Sequence, residues 1–149
     1  MRLVRAATCA LALACAAGCA DDGLDAESSR AVFEAANGEI HALHLEALAF
    51  DLWPATYVRA CADGGDVTME SELIDGHVFV ALYHAFDGCQ AGGYTLDGAI
   101  DYTEISFCDD DTANVTITGE LVVAGHGPCA IDAVETCGAV AGTACGAAL

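Results

Sequence analysis

Between Ser28 and Phe50 the apolar side chains Val32, Ala36, Ile40, Leu43, Ala47 and Phe50 recur at three- and four-residue spacing, which describes one stripe along an α-helix. Asp25 or Ser28 can cap its start, and Pro54, after Trp53, stops it. Asn37-Gly38 lies inside the pattern, where glycine costs about 1 kcal/mol relative to alanine, so a break into two shorter helices is the alternative. Beyond Cys61 the period falls to two. Val67 to Ile74 reads as a strand, Asp75-Gly76 as a two-residue hairpin turn, and His77 to Phe86 as the returning strand. With that turn, partner positions sum to 151, so Ala62 faces Cys89, Cys61 faces Gln90, and a bulge must take up the one-residue offset between the two cysteines. Gly88 to Gly93 turns the chain, and Tyr94 to Phe107 gives a third strand with Leu96, Ile100 and Tyr102 on one face. After Asp109-Asp110-Asp111 a fourth strand runs from Val115 to Ala124, and after Gly125-His126-Gly127-Pro128 a fifth spans Cys129 to Val134. Thr136 to Leu149 is rich in Gly and Ala, held by its cysteines or frayed. The expected fold is therefore α+β: an N-terminal amphipathic helix packed on an antiparallel β meander of four to five strands, in a single domain over 28–149.

Met1 to Cys19 follows another pattern: Arg2 and Arg5, an apolar run from Ala6 to Ala17, then Gly18 and Cys19. The run is too short for a permanent bilayer span, and its small-residue end suits a peptidase, so 1–18 reads as a secretory signal and 19–27 as an acidic tether. Ala16-Ala17-Gly18-Cys19 resembles the lipobox of bacterial lipoproteins, with Ala16 where leucine is usual. That resemblance implies lipidation at Cys19, with Cys15 as the competing position and an unlipidated secretory signal as the plain alternative. Two or three acyl chains anchor stably, at about 0.8 kcal/mol per buried methylene. Ala20, in place of the aspartate that retains enteric lipoproteins at the inner membrane, implies the outer membrane or cell surface.

Charge narrows the partners. The chain has 4 Lys+Arg against 23 Asp+Glu, and loss of the signal leaves two arginines, for a formal charge of −21. Nucleic acid and anionic headgroups both need cationic groups that this body lacks, so the membrane partner is reached through the lipid anchor alone. The crowded carboxylates also predict that stability rises with moderate salt and on mild acidification.

Past Cys19 six cysteines remain: Cys61, Cys89, Cys108, Cys129, Cys137 and Cys145. An even number in an exported domain reads as three disulfides, and no CxxC pair supports a structural zinc site. The hairpin places Cys61 beside Cys89. Cys108 and Cys129 lie at opposite ends of a strand about 33 Å long, too far for a bridge; Cys129 to Val134 runs back toward the Asp109–Asp111 turn, which brings Cys137 within reach of Cys108 and leaves Cys129 for Cys145.

Candidate chemistry is sparse. Asp109, Asp110, Asp111 and Asn114 offer hard oxygen ligands, so calcium is the one cofactor to consider, although the EF-hand glycine and glutamate are missing. His41 and His44, three apart on the helix near Glu34 and Glu39, could form a two-histidine metal face without an HExxH arrangement. His77 and His84, seven apart on one strand, fall on opposite faces. Ser28, Ser29, Ser71 and Ser106 lie outside any GxSxG elbow, and Gly64-Gly65 has no phosphate-loop lysine. The segments Cys61-Ala62-Asp63-Gly64-Gly65, Phe86-Asp87-Gly88-Cys89 and Leu96-Asp97-Gly98 together resemble uncharacterised exported lipoproteins of proteobacteria, particularly myxobacteria-like ones. The resemblance implies a paired Cys61 and Cys89 and a β-rich body, and it carries no activity. The expected role is a non-enzymatic structural or interaction module of the envelope that presents a sheet edge or an acidic face to another envelope protein; a small-ligand or cation-binding module is the alternative and an enzyme the third.

Overall fold

The structure is a computed structural model that describes residues 23–49, 54–74, 78–108 and 113–149. Helix α1 (Ala26–Ala47) is followed by eight strands: β1 (Thr56–Ala60), β2 (Gly64–Ile74), β3 (Val78–Ala91), β4 (Tyr94–Phe107), β5 (Ala113–Val123), β6 (Gly127–Thr136), β7 (Ala139–Ala144) and β8 (Ala147–Ala148). They form one antiparallel sheet in chain order. The α+β expectation of four to five strands is thereby corrected: the chain is mostly an eight-stranded antiparallel sheet with one helix.

The physical reasons lie at the two ends of the sheet. β1 is only five residues long and is amphipathic in the reverse sense, its exposed Val58 facing out while Arg59 turns toward the helix. β7 and β8 occupy the Gly- and Ala-rich tail, which has few of the β-branched side chains that mark strands. Their turns supply the missing signal. β6 and β7 are joined by Cys137-Gly138 and β7 and β8 by Cys145-Gly146, and all four residues have positive φ, between 47° and 82°. Two successive left-handed residues make the turn that matches strand twist, with cysteine where asparagine is usual.

α1 is continuous through Asn37-Gly38, so the helix break does not occur. Asp25 is the N-cap, its carboxylate accepting from the Ser28 amide at 2.7 Å. The buried stripe Val32, Phe33, Ala36, Ile40, Leu43 and Ala47 meets an inner sheet face made of Val67, Met69, Leu82, Phe86, Leu96, Ile100, Ile117, Leu121 and Ile131. α1 touches β1 to β4 and also β7 and β8, so both edges of the sheet curl toward the helix. Strong local bending is permitted at Gly98, where φ is +114° and an added Cβ would lie 2.4 Å from the Glu120 carbonyl oxygen.

The hairpin register also differs from the sum of 151. Ile74 pairs with Val78, and shifts between Glu72/Leu73 and Gly64/Asp66 move the frame by two further positions. The frame thereby moves away from the in-register pairing of Cys61 with Cys89; Cys61 instead lies before β2, in the tight turn where its amide donates to the Gly65 carbonyl at 2.9 Å and the Asp63 amide to the Gln90 carbonyl at 3.1 Å, and that turn sets it beside Cys89. The bridges are Cys61–Cys89, Cys108–Cys137 and Cys129–Cys145, the pairs to which the strand order leads.

One polar anchor fastens the helix to the sheet edge. Arg59 on β1 donates to buried Glu39 and, at 2.8 Å, to exposed Glu46 about two helical turns further on. Glu39 also accepts from the Ala62 amide at 3.2 Å. Of the two arginines in the body, one is thus engaged within the fold, while Arg30 is exposed.

Candidate functional site

A fully buried histidine, His84, is turned inward by the alternation of β3. Leu82, His84 and Phe86 share the inner face, and all three are buried. Across the interface, the last turn of α1 carries half-buried His44, next to buried Leu43 and one turn before Ala47. The two imidazoles meet, with Nε2 to Nε2 at 2.8 Å.

The surroundings fix which nitrogen carries each proton. His84 Nδ1 is 3.2 Å from the Ile100 carbonyl oxygen, which can only accept, so Nδ1 holds the proton and Nε2 presents a lone pair. His44 Nε2–H therefore donates to it. Burial keeps both rings neutral: it pushes His44 down to about 4, with His41 adding repulsion, and His84 down to about 3, with His44 adding repulsion against the pull of the Ile100 carbonyl.

Tyr102 on β4 closes the cluster. Its ring stands edge-on to both histidines, with centroids 4.9 Å from His84 and 6.0 Å from His44. Its hydroxyl donates to the Asn37 side-chain carbonyl on α1. Burial, with the Glu135 carboxylate beyond, holds the phenol protonated far above its ordinary range. Besides the Arg59–Glu39 pair, helix and sheet are thus joined by two part-buried polar links, His44–His84 and Asn37–Tyr102.

Near Asn37 the interface opens into a groove of about 170 Å³ between α1 and the β7–β8 edge, lined by Arg30, Phe33, Glu34, Asn37, Val140 and Leu149. That volume is below the several hundred Å³ of ordinary small-molecule sites.

The residues singled out in the sequence are distributed differently. The His41–His44 metal face is not formed: His41 is exposed, His44 turns to His84, and Glu39 is occupied by Arg59. Glu34 is exposed. Cys19, His77 and Asp109, Asp110 and Asp111 lie outside the described residues; Asn114 donates through Nδ2 to Ser106 Oγ at 3.3 Å. His126 sits exposed in the turn between β5 and β6. Among the described residues no three of His, Cys, Asp and Glu gather as a metal group, and no helix is long and apolar enough to cross a membrane. The cysteines of the body are all in disulfides and supply no thiolate. His84 was legible as a core position from its alternation with Leu82 and Phe86, but nothing local in the sequence pointed to His44 as its partner, forty residues away.

Compared with family models, curated proteins and solved structures, the chain matches none.

Proposed function

We propose that the chain is a lipid-anchored protein of the bacterial envelope, held through Cys19, whose disulfide-braced sheet acts as a structural or interaction module and not as an enzyme. The observation that carries this reading is the coincidence of two features: a short apolar run ending in Ala-Ala-Gly-Cys, and a body in which all six remaining cysteines are bridged. Disulfides persist in oxidising compartments, so the braced body suits export. Ala20 favours the outer membrane or cell surface over the inner membrane.

The outer face of the sheet suits contact with another envelope component. One row across it runs Glu70, Tyr83, Asp101, Thr118, Asp132 and Thr143 on six successive strands. Carboxylates and hydroxyls alternate, so like charges never stand directly opposite in this row, and successive acids are about 9.6 Å apart. Such a face is repelled by anionic surfaces and is complementary to a basic partner. Intact mass of the detergent-extracted protein tests the anchor: a diacylated or triacylated Cys19 as first residue is expected. A mature chain starting elsewhere, without lipid, overturns it.

A further inference from the structure

We propose that His44, His84 and Met69 form a binding site for Cu(I) between α1 and the sheet. The inference is independent of the lipid anchor. It starts from His84, whose Nδ1–H is spent on the Ile100 carbonyl at 3.2 Å while Nε2 points at the second imidazole. Histidines that bind metals are oriented in this way, with the far nitrogen donating to a carbonyl and the near one presenting its lone pair.

The third ligand comes from the ladder. Met69 on β2 is the direct partner of His84 on β3, so both side chains stand on the inner face, and both are completely buried. Opposed residues in an antiparallel pair have Cβ atoms about 5 Å apart, within reach of a common ion. The chain has 2 methionines, and the other is Met1, so Met69 is the one thioether of the exported body.

This donor set selects the metal. Two neutral imidazoles and a thioether are soft to borderline ligands that suit Cu(I), whereas calcium and magnesium require oxygens. Zinc sites normally add thiolate or carboxylate, but the cysteines are bridged and Glu39, the buried carboxylate of α1, is held by Arg59. A monovalent ion also carries less charge into an apolar interface than a divalent one.

The rearrangement required is small. Imidazole–metal bonds of about 2.0–2.1 Å at an angle of 110–120° place the nitrogens about 3.3–3.6 Å apart, so the pair at 2.8 Å opens by well under 1 Å. Both imidazoles bind as neutral rings, so no net proton is released. Entry is through His44, which is half-buried at the end of α1, with exposed His41 one turn before it.

The disulfide-bonded chain is titrated anaerobically with Cu(I) against a chromophoric Cu(I) chelator, and in parallel with Ag(I) as a redox-inert stand-in. One equivalent of either ion is expected to bind and raise the melting temperature. X-ray absorption of the Cu(I) form should give two nitrogen ligands and one sulfur. Met69→Leu should weaken binding at least tenfold while leaving the melting temperature of the metal-free protein within a few degrees, and His44→Gln should weaken it further. His126→Gln should have no effect. No binding at micromolar ion, equal affinity in wild type, Met69→Leu and His44→Gln, or tighter binding of Zn(II) than of Cu(I) would each overturn the proposal.

Discussion

Acidification should destabilise this protein between pH 7 and pH 5, against the trend expected of a chain so rich in carboxylates. The perturbation acts on His44 and His84. In the fold both are neutral to about pH 4 and about pH 3, whereas in the unfolded chain each titrates near its ordinary 6.5. The folded state therefore binds fewer protons across this window. Their contribution is fully present above pH 6.5 and is lost as pH falls toward the folded values. By pH 5 an unfolded histidine is almost wholly protonated, and the loss relative to pH 7 is about 2 kcal/mol per ring, or about 4 kcal/mol for the pair. At pH 5 that figure depends little on the depressed values themselves, provided they lie below about 4.5. Carboxylates oppose the trend only lower down, where they titrate. Since domains are typically stable by 5–15 kcal/mol, the effect is large. The assay is urea unfolding at half-unit steps from pH 7 to 5, on wild type and on the doubly substituted His44→Gln, His84→Gln protein. The variant starts less stable but should lose most of the pH slope. A wild-type slope that is flat or rises on acidification, or one shared by the variant, would refute the reasoning.

Three further outcomes follow from other contacts. Arg59→Ala should cost about 3 kcal/mol or more, because it strands the buried Glu39 carboxylate, whereas Glu46→Ala, at a side chain 49% exposed, should cost less than about 1 kcal/mol; chemical denaturation separates them. Gly98→Ala should destabilise by at least about 2 kcal/mol because its Cβ meets the Glu120 carbonyl, while Gly38→Ala, in the helix with open space around it, should stabilise by about 1 kcal/mol, both read from the denaturation midpoint. Asp66 and Asp87 are direct cross-strand partners and both exposed, so Asp87→Lys should raise the melting temperature, by up to about 1 kcal/mol of stability, with a gain that shrinks as salt is added.

How far the fold could be read depended on whether the deciding signal was local. Helix α1 and its Asp25 cap were legible because the stripe repeats over five turns. β4 begins and ends where alternation and the flanking turns place it, at Tyr94 and Phe107. β1 was hidden because five residues give too little alternation, and because Arg59 faces the helix, where a charge argues against burial. The register of β2 on β3 was missed by the irregularities at Glu72/Leu73 and Gly64/Asp66, which no turn dipeptide announces. The expectation that acidification stabilises the protein counts carboxylates alone; the opposing contribution of His44 and His84 is not local in the sequence, because only the meeting of α1 with β3 buries the two rings.

The tail shows how cysteine replaces hydrophobic burial in this architecture. From Thr136 onward the strands present alanine and glycine, and of β7 and β8 only Ala144 is fully buried, so side-chain packing there contributes little. The first residue of each of the two tight turns, Cys137 and Cys145, is instead a bridge end, tied to Cys108 beyond β4 and to Cys129 on β6. Closing chain segments of 29 and 16 residues removes about 3 to 4 kcal/mol of unfolded-state entropy per bridge. Those same cysteines sit at positive φ, where a non-glycine residue costs about 1 to 2 kcal/mol. The bridges outweigh that cost, and so a segment too poor in apolar side chains to hold an edge by itself completes the sheet and closes against α1 beside Phe33 and Asn37.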